Sequence, residues 1–383
     1  MIKSFSQKIK GDKIIWLMIA FLCFSSIPLI YSSIASQKDF MSPLLKQSGL
    51  VLISFAAVYF FHRIPVGWYR RLSIPFLIGS VILLILTPFI GVKLHGAIRV
   101  ISVFGFTFNP ADLAKIGIIL YLAKIMESEE LSTFKEFAWK ILAPVAIVFF
   151  LILWGSTSAA LLFLIVVLIV LFVGEIKTAF LLRAAVIATV AIGLYFADGA
   201  VTQVLPRSET ALNRVKSFFE SDDNDKNEIR KDEQIDYSQM AIATGGILGK
   251  GPGHSTQRYV LSQAYSDFIY AIILEEYGIV GGVAILAAYL ILLFRAVVIA
   301  QSCTRVFSML IVLGFVLSIV FQAMLNMCVA VGLTPVTGQP LPLVSLGGSS
   351  LLAISISLGI VLAVSRASDE RNIIEKNKTG EGD

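Results

Sequence analysis

"SDFIYAIILEEYGIVGGVAILAAYLILLFR", residues 266–295, is apolar enough to cross a bilayer, yet Asp267 stands at its start and Glu275 and Glu276 lie inside it. About 20 apolar residues, rising about 1.5 Å each, span the hydrocarbon, so the stretch reads as a transmembrane helix over roughly 267 to 294. Acids facing lipid are costly. Glu275 and Glu276 must therefore face a protein-lined or aqueous interior, or lie in a break at "EEYGIVGG". Asp267 by itself suits the start of a helix, where its carboxylate could cap the span and meet the positive end of the dipole.

Runs of the same kind recur along the chain. They fall at roughly 14 to 34, 47 to 62, 72 to 91, 110 to 126, 138 to 154, 158 to 174, 178 to 198, 267 to 294, 306 to 332 and 345 to 365. With 57% hydrophobic and 15% charged residues among 383, and a mean hydropathy of +0.84, the polar surface is too small to coat a water-soluble globule. The fold class expected is an all-α polytopic membrane protein of about ten helices. The first apolar run is too long for a secretory signal and lacks a small-residue cleavage site, so it reads as a retained span.

The three cysteines, Cys23, Cys303 and Cys328, fall in apolar runs with no ligand or redox spacing. The net charge of +5 comes from basic residues scattered between spans, not from a stripe of the kind that binds nucleic acid. With the N-terminus in the cytoplasm, Lys3, Lys8, Lys10, Lys13, Arg63, Arg70, Arg71, Arg295, Arg305, Arg366 and Arg371 gather at the inner face. The short outer loops then keep only Lys38, Lys46, Lys93 and Arg99. Both termini are expected in the cytoplasm, with the long segment 198–266 outside. A single membrane domain, 1–366, would precede a solvated tail, 367–383.

The long segment has two parts. "ESDDNDKNEIRKDEQ" (220–234) is charged, nearly free of apolar residues and expected to be mobile. "QMAIATGGILGKGPGHS" (239–255) mixes apolar residues with glycines, as a re-entrant or interfacial element does.

Two further stretches could carry chemistry. In "HGAIRVISVFGFTFNPADLAKIGIILYLAK" (95–124), an outer loop with Arg99 leads to a span that opens with Asp112 and Lys115 on one helical face. The two could simply pair with each other; alternatively Arg99 and Lys115 together hold a phosphate, a forked donor beside a compact charge. "NMCVAVGLTPVTGQPLPLVSLGGSS" (326–350) is an uncharged loop broken by prolines and glycines, too long for a simple turn. It is expected to line a cavity, with the last span opening at Gly347, Gly348 and Ser349.

These motifs resemble those of the SEDS family (shape, elongation, division and sporulation), and the similarity runs from "GDKIIWLMIAFLCFSSIPLIYSS" to "PLPLVSLGGSSLLAISISLGI". The most specific are "GGILGKGPGHSTQ", "SDFIYAIILEEYGIVGG" and the uncharged loop. The opening "GDKIIW" followed by "YSS" is closer to the division branch than to the elongation branch. The resemblance implies a glycosyltransferase that polymerises lipid II into glycan at the outer face of the bacterial cytoplasmic membrane. It also implies that undecaprenyl-diphosphate-linked glycan is bound, and that the partners are a class B penicillin-binding transpeptidase and other divisome proteins.

By position in the motifs, Asp267 is implied as the catalytic acid residue, Arg99 matches the Arg of "NGARRW" and Lys115 the Lys of "PSEFAK". Substrate binding is assigned to Arg99, Lys115, Arg214, Lys250, Ser255 and Gln257. Asp112, Glu275, Glu276, Gly347, Gly348 and Ser349 are assigned to supporting the site. The chain departs from the family pattern at Gln263 and Tyr265, where "PEAHTDF" has Glu and His; at His95 and Asp112; and from Trp154 to Ala160, where "QPDLGTA" reads "WGSTSAA".

Glycosyl transfer from a lipid diphosphate needs a base at the acceptor hydroxyl and positive charge at the leaving group. Asp267 suits the first task and the cations the second. A divalent cation, magnesium or manganese, is expected to assist, with its ligands unassigned. The competing readings are a flippase whose intramembrane Asp112, Lys115, Glu275 and Glu276 line a headgroup path, a polymerase of the elongation branch, and a non-enzymatic scaffold for division partners.

Overall fold

A computed structural model of the chain describes residues 10–34, 41–94, 97–103, 106–201, 207–219, 229–261 and 265–379. In chain order the helices are α1 (Lys13–Ile34), α2 (Met41–Arg63), α3 (Val66–Ile90), α4 (Pro110–Ser128), α5 (Phe134–Gly155), α6 (Thr157–Val173) and α7 (Thr178–Val201). There follow α8 (Ser208–Phe219), α9 (Ile229–Gly245), α10 (Ile269–Ser302), α11 (Val306–Ala330) and α12 (Gly348–Thr379). Among the described residues, eight helices are long and apolar enough to cross a membrane: α1, α2, α3, α5, α7, α10, α11 and α12. Two more complete the bundle of about ten spans. One is α6, apolar but 17 residues long. The other is α4, which carries Asp112, Lys115, Lys124 and Glu127 and can do so because it is interior, with Ala114, Ile118, Leu122 and Ala123 fully buried.

The outside of the bundle is apolar. Leu17, Leu52, Phe60, Phe89, Trp139, Phe172, Leu182 and Phe294 are each more than half exposed. In water such a girdle would be a large aggregation surface, whereas in lipid it is the solvated face. Inside, α3 lies along α4, α12 along α2, and α10 along α11.

Helix ends follow local chemistry. Asn109 accepts from the Ala111 N–H and Pro110 takes the first helical position, which starts α4. Ser156 accepts from the Ala159 N–H and starts α6 directly after α5 stops at Gly155. Within α5, Pro144 has no N–H to give, and the helix widens to a π turn over Ala138–Leu142. The Lys140 carbonyl, which would have bonded to residue 144, instead accepts from the Tyr121 hydroxyl of α4 at 2.8 Å.

The structure differs from the sequence reading in three places. Residues 92–108 are not a plain loop but an antiparallel sheet in the order β1 (Val92–Leu94), β2 (Ala97–Val103), β3 (Phe106–Phe108), with Ile101 opposite Phe108. The segment expected to be mobile at 220–234 enters α9 from Ile229; residues 220–228 lie outside the described residues. The segment expected as a solvated tail begins as helix, because α12 continues past Arg366 to Thr379.

The most consequential feature is a break in α10. Gly278 has φ +66° and ψ −167°, outside helical values. The freed backbone groups are taken up by the glycine-rich turn after α9. Lys250 N donates to Glu275 O and Gly251 N to Glu276 O, both at 2.9 Å; Ile279 N donates to Gly246 O at 3.0 Å and Val280 N to Ile247 O at 3.3 Å. Four backbone groups at the break are thus paired within the protein, as irregular backbone at membrane depth requires. The approach is so close that a Cβ on Gly249 would stand 2.2 Å from the Glu276 carbonyl oxygen.

Candidate active site

The loop 331–347 between α11 and α12 is tied down from several sides. Asn326, 1% exposed in α11, donates from Nδ2 to the carbonyls of Asp267 and Gln339, each at 2.9 Å. Gln322 Nε2 donates to Pro340 O at 2.9 Å. Ser345 Oγ donates to Ser266 O at 2.7 Å and receives the Leu341 N–H, while Leu346 N donates to Tyr265 O at 3.0 Å. The strand of chain that carries Asp267 is therefore zipped to this loop. Phe268, not Asp267, holds the N-cap position of α10. The Asp267 carboxylate accepts from Ser266 Oγ at 2.9 Å, and its other oxygen lies against Gly338, where an added Cβ would be 3.6 Å away.

Asp267 faces a cavity of about 1120 Å³ at the loop end of the bundle. Arg99, Asp112, Lys115, Arg214, Gly347, Gly348 and Ser349 line the same cavity, so the structure brings these sequence candidates together. Lys115 Nζ pairs with Asp112 Oδ1 at 3.2 Å, and Ser350 Oγ donates to Asp112 Oδ2 at 2.9 Å. Arg214, on α8, donates to the Val336 carbonyl at 3.2 Å. Burial pushes the Arg214 guanidinium down from its ordinary pKa, the Asp267 carboxylate pushes it back up, and Arg99 lowers it again. One wall of the cavity is apolar, formed by Leu84, Ile85 and Phe89 of α3 with Leu161, Leu162 and Ile165 of α6. Ile85, Phe89 and Ile165 are exposed, so the cleft opens sideways on the lipid-facing surface.

Other candidates are placed elsewhere. Lys250, Ser255, Gln257, Glu275 and Glu276 do not line the cavity. They form a clamp at the α10 break. Glu275, fully buried, accepts from Lys250 Nζ and Ser255 Oγ, both at 2.5 Å, from Thr256 N and Oγ1, and from Gln257 N. Glu276 accepts from Ser32 Oγ of α1 and from Ser255 N. Glu275 thus spends its hydrogen-bonding capacity on the turn that satisfies the broken helix, whereas Glu276 uses one oxygen to join that turn to α1 and its Oε2 is buried without a hydrogen-bond partner among the described residues. Of the positions that depart from the family pattern, Tyr265 lines the cavity, as do residues Trp154 to Ala159, whereas Gln263 and His95 lie outside the described residues.

Sequence reasoning passed over Asn326, Gln339, Ser350 and Arg207. Asn326 had a readable signal, an amide inside an apolar span. Arg207 had none beyond its charge. It lines the cavity and donates to the Gly155 carbonyl at 2.5 Å, where α5 gives way to α6.

Among the described residues there is no group of three or more His, Cys, Asp and Glu, and Asp112 is already engaged by Lys115 and Ser350.

A helical, multi-pass membrane protein with a laterally open cleft, a carboxylate at its polar end and several cations around it is suited to act on an anionic lipid. The chain belongs to the FtsW/RodA/SpoVE family of cell cycle proteins, whose sequence model matches residues 12–370. It is 31% identical over 371 residues to a protein of Trichlorobacter lovleyi named a probable peptidoglycan glycosyltransferase FtsW, covering 92% of this chain and 93% of the relative. It is also 31% identical over 364 residues to the protein of that name from Haemophilus influenzae, covering 91% and 88%. Among solved structures it resembles a chain from a study of how a peptidoglycan synthase complex coordinates polymerization and crosslinking. That likeness has TM-score 0.74 and 26% identity, and covers 94% of this chain and 98% of the other. The rod shape determining protein RodA of Thermus thermophilus shares the fold, with TM-score 0.66 and 24% identity over 94% and 98% of the two chains.

Proposed function

We propose that the chain is a peptidoglycan glycosyltransferase of the division type, polymerising lipid II into glycan strands. The observation that carries this is the placement of Asp267 in one cleft with Arg99, Lys115 and Arg214, beside an apolar wall open to the lipid side. The curated relatives bear that activity in their names.

In the proposed step Asp267 takes the proton of an acceptor sugar 4-hydroxyl. The freed oxygen forms a bond to the anomeric carbon of a lipid-linked donor, and the bond from that carbon to the diphosphate oxygen breaks. Negative charge grows on the departing diphosphate, where guanidinium groups in a cleft shielded from water are worth most. The polyprenyl chain lies along Leu84, Phe89 and Ile165, so the substrate enters from the membrane plane. A magnesium or manganese ion would be held by the carboxylates of the cleft, Asp267 and Asp112, and would supply positive charge at the departing diphosphate. No step here runs through it.

The Lys and Arg distribution supports cytoplasmic termini, and with them a cleft that opens at the outer face of the bacterial inner membrane. The complex that holds the similar solved chain supports a crosslinking partner, which we take to be a class B penicillin-binding transpeptidase acting with other divisome proteins. The test is incubation of the purified chain with labelled lipid II in detergent. Polymer longer than the substrate is expected there without two leaflets or a membrane potential. Lipid II translocation in vesicles with no polymer in either setting would favour the flippase instead.

A further inference from the structure

Three arginines from different parts of the chain meet on this cavity: Arg99 in β2, Arg214 in α8, and Arg207 immediately before α8. Among the described residues none of them forms an ion pair. Arg207 is the least comfortable. Its backbone has φ +64°, a left-handed conformation that side chains with a Cβ rarely adopt. Its guanidinium is held against the Gly155 carbonyl, and the Arg99 side chain lies beside the same glycine, where an added Cβ would be 3.5 Å from Arg99 Cβ. Burial, and then the like charges of Arg99 and Arg214, push its pKa below the ordinary arginine value. Strain, burial and repulsion concentrated on one residue point to a ligand that offsets them.

The cations of the cleft divide into two groups. Lys115 is neutralised by Asp112, which Ser350 also holds. Asp267 acts on Arg214, while Arg99 and Arg207 form no ion pair among the described residues, so the positive charge available to a ligand lies with the arginines, each a planar fork suited to paired phosphate oxygens. We propose that Arg207 completes, with Arg99 and Arg214, a guanidinium clamp that selects a prenyl diphosphate over a prenyl monophosphate. The inference rests on the polymerase reading for the identity of the lipid, and it adds a residue and a selectivity to that reading. Three forks held by separate parts of the chain match acceptor oxygens and charge spread over two linked phosphoryl groups better than those gathered on one.

The test is equilibrium binding of farnesyl diphosphate and of farnesyl monophosphate to the full-length chain in detergent, with no acceptor sugar present. Diphosphate is expected to bind tighter by about tenfold or more, the scale of a charge-assisted bidentate contact. Arg207→Gln should bring the two ligands to within about threefold of each other, and Arg207→Lys, which keeps a charge but not the fork, should fall between. No preference in the unaltered chain, or an unchanged preference in Arg207→Gln, overturns the clamp. Should Arg207→Gln not fold, Arg207→Lys decides, and an undiminished preference there overturns it equally. Diphosphate selectivity in a chain that makes no glycan would sustain the clamp and remove the polymerase reading. Glycan synthesis without that selectivity would do the reverse.

Discussion

Asn326 of α11 donates its side-chain amide to the backbone carbonyl of Asp267 at 2.9 Å, and the same nitrogen reaches the Gln339 carbonyl. One buried amide thus fixes the residue proposed as the base to the loop that lines the cleft. Replacing it by leucine leaves both carbonyls without that donor, at a cost of about 1–3 kcal/mol in stability. Asn326→Leu is expected to lower the melting temperature and to reduce the turnover of lipid II more than its binding, read from the separate effects on kcat and KM. Unchanged melting and turnover would show that the amide positions nothing.

Lys250 separates a structural role from a substrate role. Its ammonium sits on buried Glu275 and away from the cavity, although its sequence context suggested a phosphate ligand. Lys250→Met should destabilise by about 1–3 kcal/mol, below the ~3–5 kcal/mol of a fully buried pair, because Lys250 is 27% exposed and Glu275 keeps its bonds from Ser255 and Thr256. KM for lipid II should stay as it was. A raised KM with unaltered stability would return Lys250 to the binding residues.

Two glycines of left-handed backbone make a matched comparison. Gly253 has φ +79° with open space around it, while Gly278 has φ +66° and an added Cβ would stand 2.2 Å from the Ile247 carbonyl oxygen. Gly253→Ala should cost only the conformational penalty, about 1–2 kcal/mol. Gly278→Ala carries the same penalty and must also part the backbone pairing of residues 246–251 with 275–280. Denaturation in detergent should rank Gly278→Ala well below Gly253→Ala; equal losses would mean that the pairing contributes nothing.

The π turn of α5 gives a test away from the cleft. Tyr121→Phe removes the hydroxyl that serves the Lys140 carbonyl beside Pro144. A loss of about 0.5–1.5 kcal/mol is expected, with lipid II polymerisation unaffected in the folded fraction. Impaired turnover at full stability would tie the α4–α5 contact to the cleft.

Much of this architecture is readable from the sequence because a bilayer leaves few choices. Apolar runs of spanning length become helices, and acids within them must find interior partners, as Glu275 and Glu276 do. The grouping of Arg99, Lys115, Arg214 and Asp267 was legible in kind, since outer-loop cations beside a carboxylate are few in this chain. Which cations reach the cavity was not. Lys250 and Arg214 look alike in a polar segment, and only the fold shows that one serves a helix break and the other the cleft. The sheet over 92–108 escaped because two of its strands are only three residues long and all lie between spans, where periodicity is weak. Arg207 escaped because its setting depends on Gly155, far away in the chain.

The most direct measurement of the central claim is lipid II polymerisation by folded Asp267→Asn, beside the unaltered chain, in detergent and at matched protein concentration. Asparagine keeps the size of the side chain and cannot take up the sugar proton. Glycan formation should fall by at least about 10²-fold, within the usual range for loss of a general base, while melting temperature and lipid II binding stay close to those of the unaltered chain. Glycan made by Asp267→Asn at the unaltered chain's rate would contradict the account.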